Sequence, residues 1–369
     1  MDKPFDTTHS FFLIRTHTIL QYLAKSSKIS LKYLPFIAFS FLFSLFMMPF
    51  NLIEDIRYAK CKKIKIKNPV FILGHWRTGT TILQYLLSRD TNTFGFITPI
   101  DFMSYNTSLI SSLLSKNKKE ETITNMRHYD NLKFKSDMPF EEYTTHTIRY
   151  SDASWSMHLF PNDKEKYFNY AFVDELSEKQ QKLWFKHYDS ILKRYTLKCN
   201  MHEKSFLSKS PDSIARAYYL KQKYPDAKFI NIYRNPYATI RSTIHLFELV
   251  FKRFCLQDTP NHNEIVDFAI YTFKRMYTKY FSDLEKIPQD SIYEIKFEDF
   301  EKNPIPILKS VYEKFGWDFE AAEKPMSDYW ATMSTYQKNN YDYPPELIKK
   351  INTELGFYFE HYGYPKLEV

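Results

Sequence analysis

The sequence predicts an α/β fold: a P-loop-like central parallel sheet flanked by helices, with helical insertions and an apolar N-terminal segment. Three observations predict it. Residues 70–73, Val-Phe-Ile-Leu, form an apolar run with no polar break, as in a parallel strand covered on both faces. Three further β-rich runs, Phe206–Lys209, Phe229–Tyr233 and Ser291–Phe297, are each followed by a helix signal. Strands that alternate with helices imply crossover connections and parallel pairing.

A chain of 369 residues can bury a large core in one or two domains. The division expected is an apolar and basic helical segment, residues 1–60, and an α/β domain, residues 61–369. Aromatics at 18% with only 6 glycines argue against flexible linkers, collagen-like repeats and disorder. A net charge of +8 suits an anionic substrate, nucleic acid or a membrane surface, although the basic residues are spread along the chain. Cys61, Cys199 and Cys255 are too far apart for a metal spacing or a disulfide framework, which fits a reducing compartment.

Residues 1–32 lack the apolar core and cleavage site of a secretory signal. From Tyr33 to Ile53 the chain turns strongly apolar, but the stretch free of proline is only Phe36–Met48. A spanning helix needs about 20 apolar residues. Lys25, Lys28 and Lys32 precede the stretch, and Arg57, Lys60, Lys62 and Lys63 follow it. Three placements are open: a helix packed on the domain, an interfacial anchor with basic flanks, and a transmembrane helix.

After the first strand, Gly74 and Gly79 bracket four residues and a helix opens near Thr80. Glycine permits a sharp turn and close approach by a ligand. Free amides at the helix opening, with the helix dipole, make an anion site. Thr80 and Thr81 add hydroxyls, and Arg77 adds a fixed charge. A Walker A loop would carry lysine after the second glycine; here Thr80 stands there. The loop is therefore expected to hold an anion other than a magnesium nucleoside triphosphate.

Residues 100–205 read as mostly helical. Within them Asp137-Met138-Pro139-Phe140-Glu141-Glu142 places adjacent carboxylates beside a proline turn. They can supply a general base or simply open a helix, where acids favour the dipole. Ser210-Pro211-Asp212 is a cap, a first-turn proline and an acid, so a helix is expected to about Tyr224. Phe229–Tyr233 ends at Arg234-Asn235-Pro236, again cap then proline. An arginine at the carboxyl end of a strand lies where open α/β sheets bind ligands. The last strand leads to a helix from Pro304, with Leu308, Val311, Tyr312 and Phe315 on one face and Gly316 at its end.

The loop Gly74–Thr81, GHWRTGTT, together with IYRNPYATIRST (232–243), resembles the paired cofactor signature of sulfotransferases that use 3′-phosphoadenosine 5′-phosphosulfate (PAPS). The likeness is to the bacterial branch with a GHWRSGTT loop. It extends through the segment from Lys209 to Tyr237, through IYEIKFEDFEKNP, and to a Tyr-Gln-Lys-Asn…Gly-Tyr tail, about residues 68 to 364.

The resemblance implies sulfuryl transfer from PAPS to a hydroxyl by in-line displacement, with release of 3′-phosphoadenosine 5′-phosphate (PAP) and no metal. It implies that Arg77, Thr78, Gly79, Thr80 and Thr81 cradle the 5′-phosphosulfate, with Arg77 beside the bridging oxygen. Arg234 and Ser242 match the arginine and serine that hold the 3′-phosphate, and Lys338 matches a basic loop that closes over it. The Pro-x-Glu-Asp/Glu element of the branch matches Pro139–Glu142, which makes Glu141, or else Glu142, the base. Tyr143 stands where related chains often continue with an acid, and His75 and His146 are alternative bases. A P-loop-like kinase or NTPase, and a non-catalytic PAP-binding protein, are the competing readings. The expected partners are PAPS and a small-molecule, lipid or glycan acceptor, without nucleic acid, in the cytoplasm or at the inner face of a membrane touched by residues 33–53.

Overall fold

The apolar runs become strands β1 (Val70–Leu73), β2 (Phe94–Gly95), β5 (Ser205–Lys209), β6 (Lys228–Tyr233) and β7 (Ile292–Lys296) in a computed structural model. It describes residues 10–108, 125–126, 133–134, 137–335 and 342–368. These strands form one parallel sheet in the order β2-β5-β1-β6-β7. Asn125–Met126 and Lys133–Phe134, β3 and β4, make a separate antiparallel ladder. All four residues of β1 are fully buried. Successive side chains of a strand point to opposite faces. Phe71 and Leu73 accordingly enter one hydrophobic cluster, and Val70 and Ile72 the other.

The helices that position the site are α1 (Thr16–Lys25), α2 (Leu34–Phe46), α3 (Met48–Arg57), α4 (Thr80–Leu87), α5 (Pro99–Met103), α6 (Glu142–Arg149), α7 (Glu178–Lys198), α8 (Pro236–Phe254), α9 (His262–Leu284) and α10 (Gly356–Tyr362). From β1 the chain leaves through α4 towards the β2 edge; from β6 it leaves through α8 and α9 towards β7. Neighbouring strands whose connections depart in opposite directions open a crevice at their carboxyl ends. That crevice lies between β1 and β6.

The single helix expected from Pro211 to Tyr224 is split into a 3₁₀ segment, Pro211–Arg216, and an α-helix, Ala217–Lys223. Buried Asp212 pairs with buried Arg216 at 2.6 Å within the tighter turn. The helix Pro304–Phe315 ends at Gly316, whose φ of +69° is the left-handed cap the sequence predicts.

The N-terminal apolar stretch is two helices, α2 and α3, bent by 50° at a break before Pro49. No single helix among the described residues is long and apolar enough to cross a membrane, although the bent pair passes that test by length and composition. Phe11, Ile14, Ile19, Tyr22, Phe36 and Ile37 share the hydrophobic cluster of Phe71. Asp55 of α3 takes Arg15, Arg149 and Arg194, with contacts of 2.6, 3.0 and 2.9 Å. Burial alone would raise the Asp55 carboxyl, but the Arg15 hydrogen bond and the charges of Arg149, Arg15 and Arg194 hold it well below the usual range.

Asp55→Asn is expected to destabilise the protein by about 3 kcal/mol, because partly buried arginines lose their counter-ion. A carboxyl lowered in the folded state contributes stability above its unfolded pKa, and that contribution fades as pH falls below about 4. Denaturant unfolding at pH 7 and pH 3 checks this: the gap between wild type and variant should narrow at pH 3.

Candidate active site

The glycine loop is built by backbone conformations that most residues avoid. Gly79 has φ +102°, and a Cβ there would lie 2.3 Å from the Phe297 ring. A Cβ on Gly74 would meet the Ile232 carbonyl at 2.7 Å. Arg77 adopts φ +72°, a left-handed conformation that costs a non-glycine residue about 1–2 kcal/mol. Gly79 caps α4 with no side-chain hydrogen bond, so no cap side chain occupies the opening amides. Thr78 is buried and its Oγ1 donates to the His75 carbonyl at 2.8 Å, so its hydroxyl braces the loop. Thr80 is buried at the start of α4, and Thr81 is half-buried.

The crevice between β1 and β6 brings the expected phosphate residues together. Arg77 Nε donates to Ser242 Oγ at 2.9 Å, and Arg234 donates to the Arg77 carbonyl at 3.0 Å. Arg234 lies at the end of β6, with its guanidinium 4.4 Å from the centre of the Phe297 ring. Asn235 caps α8 by accepting from the Tyr237 amide at 3.0 Å. Pro236 then fixes the first turn, and Ser242 follows in α8. Tyr358 of α10 holds the Arg234 backbone, donating to its carbonyl at 2.9 Å and accepting from its amide at 3.3 Å. Two arginines, a hydroxyl and a helix opening form a donor set that fits a doubly phosphorylated anion. Lys338 lies outside the described residues.

The carboxylates enter from the other side of β1. Glu141 is the N-cap residue of α6, partly exposed, and its carboxylate pairs with Lys209. Glu142, one residue on, is buried. Its Oε1 accepts from the hydroxyls of Tyr188 (2.9 Å), Ser210 (2.9 Å) and Ser208. Burial, then the Glu142 charge, pushes the Tyr188 phenol well above its ordinary pKa and keeps it a donor. Glu142 therefore ties α6 to α7 and β5.

Neither histidine is open. His75 is fully buried, donates from Nδ1 to the Trp76 carbonyl at 3.0 Å, and lies 3.3 Å from Thr272 Oγ1. Burial pushes it down to about 3, against the pull of that carbonyl. His146 is buried with Nε2 on Asp152 at 2.9 Å, and His187 takes the other Asp152 oxygen at 2.8 Å. Among the described residues these three make one cluster of metal-ligating type, with ligand atoms within 4.8 Å of one another.

Lys209 is the site residue that the sequence reading missed. It ends β5 in register with Ile72 of β1, is buried, and holds Glu141. A signal was present. FLSK-Ser-Pro repeats the pattern of NIYR-Asn-Pro: strand, cation, cap, proline. Both cations stand at the carboxyl ends of strands that flank β1.

A family model described as the sulfotransferase family matches residues 69–321. The chain is 26% identical over 306 residues to omega-hydroxy-beta-dihydromenaquinone-9 sulfotransferase Stf3 of Mycobacterium tuberculosis, covering 81% of this chain and 76% of that one. Its counterpart in Mycobacterium bovis matches equally. In structure the chain is similar to sulfotransferase STF9 from Mycobacterium avium, with TM-score 0.65, 16% identity, and coverage of 84% and 81%. It is also similar to STF1 from M. tuberculosis, with TM-score 0.58, 16% identity, and coverage of 92% and 90%. Because the family match takes in more than half of the chain, from β1 through the glycine loop, the carboxylates and β7, the chain belongs to the sulfotransferase family and is a PAPS-dependent enzyme.

Proposed function

We propose that this sulfotransferase delivers the sulfuryl group of PAPS to the hydroxyl of a lipid, with Glu141 as the general base. The observation that carries the base assignment is the contrast between adjacent carboxylates. Glu142 is buried under three hydroxyls, whereas Glu141 is partly exposed at a helix N-cap and held by one lysine. A base must reach the proton that it removes, and a buried, triply bonded oxygen does not.

When bound, PAPS supplies the S–O bond that breaks as PAP leaves. The chain's own residues divide the remaining work. The opening amides of α4, with Thr80 and Thr81, take the 5′-phosphosulfate. Arg77 stands at the centre of the loop, where a fixed cation meets charge that develops on the bridging oxygen and so favours the transition state over the ground state. Arg234 and Ser242 take the 3′-phosphate, for which the planar guanidinium fork is suited. Glu141 takes the acceptor proton as the hydroxyl oxygen attacks sulfur in line, and Lys209 orients Glu141. This reading needs no metal, because arginines and amides supply the positive charge.

The lipid acceptor is supported by the relative Stf3, whose name gives a hydroxylated menaquinone as its substrate. The exposed apolar helices of the N-terminal segment support it as well. Three free cysteines fit work in a reducing compartment, at the cytoplasmic side of a membrane. The test is a thermal-shift titration with PAP and with ATP plus Mg²⁺, followed by PAPS turnover on hydroxylated lipids and on sugars. A ligand that binds only the folded state stabilises it by about 2.7 kcal/mol at 100 times its Kd. PAP should shift the transition and Mg-ATP should not. Turnover on sugars alone would refute the lipid acceptor.

A further inference from the structure

Helices α2 and α3 are inverted with respect to water. Their inward faces carry polar groups: Ser40 and Ser44 on α2, Asn51 and Glu54 on α3, all buried. Ser44 donates to the Ile14 carbonyl at 2.9 Å, and Glu54 accepts from Ser108 at 2.8 Å. Their outward faces are apolar. Leu42, Phe46, Leu52 and Ile56 are 63, 68, 61 and 68% exposed. A surface helix of a water-soluble domain presents the opposite pattern. Of the exposed large hydrophobic side chains among the described residues, only Ile100, Met103, Leu183 and Leu367 lie outside residues 20–56.

The residues that flank the two helices in sequence carry charge of one sign. Lys28 and Lys32 precede α2, Arg57 ends α3, and Lys60, Lys62 and Lys63 follow it, all exposed. Lys32 lies 3.8 Å from the exposed carboxylate of Asp258. Within residues 10–63 the only acids are Glu54 and Asp55, and both pair with arginines on the inner side. Basic residues at the rim of an apolar face complement anionic lipid headgroups.

Length and attachment decide how such a face meets a bilayer. At 1.5 Å per residue α2 is about 20 Å long and α3 about 15 Å, against a hydrocarbon core of about 30 Å. Both are fixed along one face to the α/β body through Phe36, Ile37, Ser44 and the Asp55 arginines. Attached in this way, neither helix alone reaches across that core, and the pair is suited to lie along one leaflet.

The face also leads to the base. Arg149, which holds Asp55 of α3, is the last residue of α6, and Glu141 caps the first turn of that helix. The two ends of α6 are about 12 Å apart. Beside it α5 presents Ile100 and Met103, both exposed, while its Phe102 packs 5.0 Å from Phe140, the neighbour of Glu141. We infer that the outward face of α2 and α3 is a docking surface for an anionic lipid bilayer, entered from one leaflet, which presents a membrane-resident alcohol to Glu141. The docking stands independently; the delivery rests on the lipid-acceptor reading.

The test is flotation of the full chain with vesicles of phosphatidylcholine, with and without phosphatidylglycerol, at low and high salt. Two triple variants accompany it, Leu42→Gln/Phe46→Gln/Ile56→Gln and Lys60→Gln/Lys62→Gln/Lys63→Gln. Wild type should float with the anionic vesicles. The apolar variant should lose at least tenfold in partitioning, with an unchanged circular dichroism spectrum and unchanged turnover of a water-soluble alcohol. The basic variant should lose the preference for phosphatidylglycerol and its salt dependence. Wild type that stays at the bottom, or an apolar variant that floats equally well, would overturn the docking. So would a wild-type dimer that the apolar variant converts to monomer without any lipid binding, since a second copy would then cover the face. Docking that holds while turnover of vesicle-borne alcohols is the same in wild type and apolar variant would overturn delivery alone.

Discussion

Glu141→Gln is expected to lower kcat by about 10²–10⁴-fold while the affinity for PAP changes by less than about twofold. Glutamine keeps the size and polarity of the side chain but cannot take the acceptor proton. Arg234 and Ser242, the groups proposed to hold the 3′-phosphate, lie across β1 on the β6 side, so they are left undisturbed. The adjacent Glu142→Gln should behave differently. It weakens the bonds to Tyr188, Ser208 and Ser210, and should cost about 1–3 kcal/mol of stability. Turnover per folded molecule should remain near that of wild type. Single-turnover kinetics on both variants, with PAP titrations alongside, separates the roles. A stable Glu142→Gln protein that loses the chemical step, beside a Glu141→Gln protein that keeps it, would move the base by one residue.

The main strands were legible because each is short, apolar and punctuated. β1, β5, β6 and β7 all lie where the β-rich runs predict them. β2, at two residues, is too short to leave a periodic signal. Arg77, Arg234 and Ser242 were legible as a group only through their likeness to a family, and the fold brings them into contact. The family motif favoured Glu141, but the different surroundings of Glu141 and Glu142 were hidden. Adjacent acids at a helix start look alike, and the hydroxyls that bury Glu142 come from residues 46 to 68 positions away. The orientation of α2 was hidden for a related reason. Its serines are diluted in a run of phenylalanine and leucine, and only the packing reveals that the hydroxyls face inward. Lys209 was overlooked because a lysine ending a short strand reads as a solvated charge, whereas here it is buried against Glu141.

Arg234→Ala should raise the Kd for PAP by about 100-fold, the equivalent of about 3 kcal/mol. The arginine contributes a charge-assisted fork that neutral donors do not replace. It also donates to the Arg77 carbonyl and stacks on Phe297, so its loss loosens the glycine loop as well. At a PAP concentration that stabilises wild type by about 2.7 kcal/mol, a 100-fold weaker variant keeps only about 0.4 kcal/mol. The thermal shift should therefore nearly vanish. Ser242→Ala removes a neutral hydrogen bond and should cost only about 1 kcal/mol, roughly fivefold in Kd. Arg234→Lys separates charge from geometry: it keeps the cation but loses the planar fork and the stacked guanidinium. If lysine restores most of the affinity, the site works by charge alone. If it stays close to alanine, the fork held between Phe297 and Arg77 is the element that binds, because the guanidinium both lies over the ring and donates to the Arg77 carbonyl.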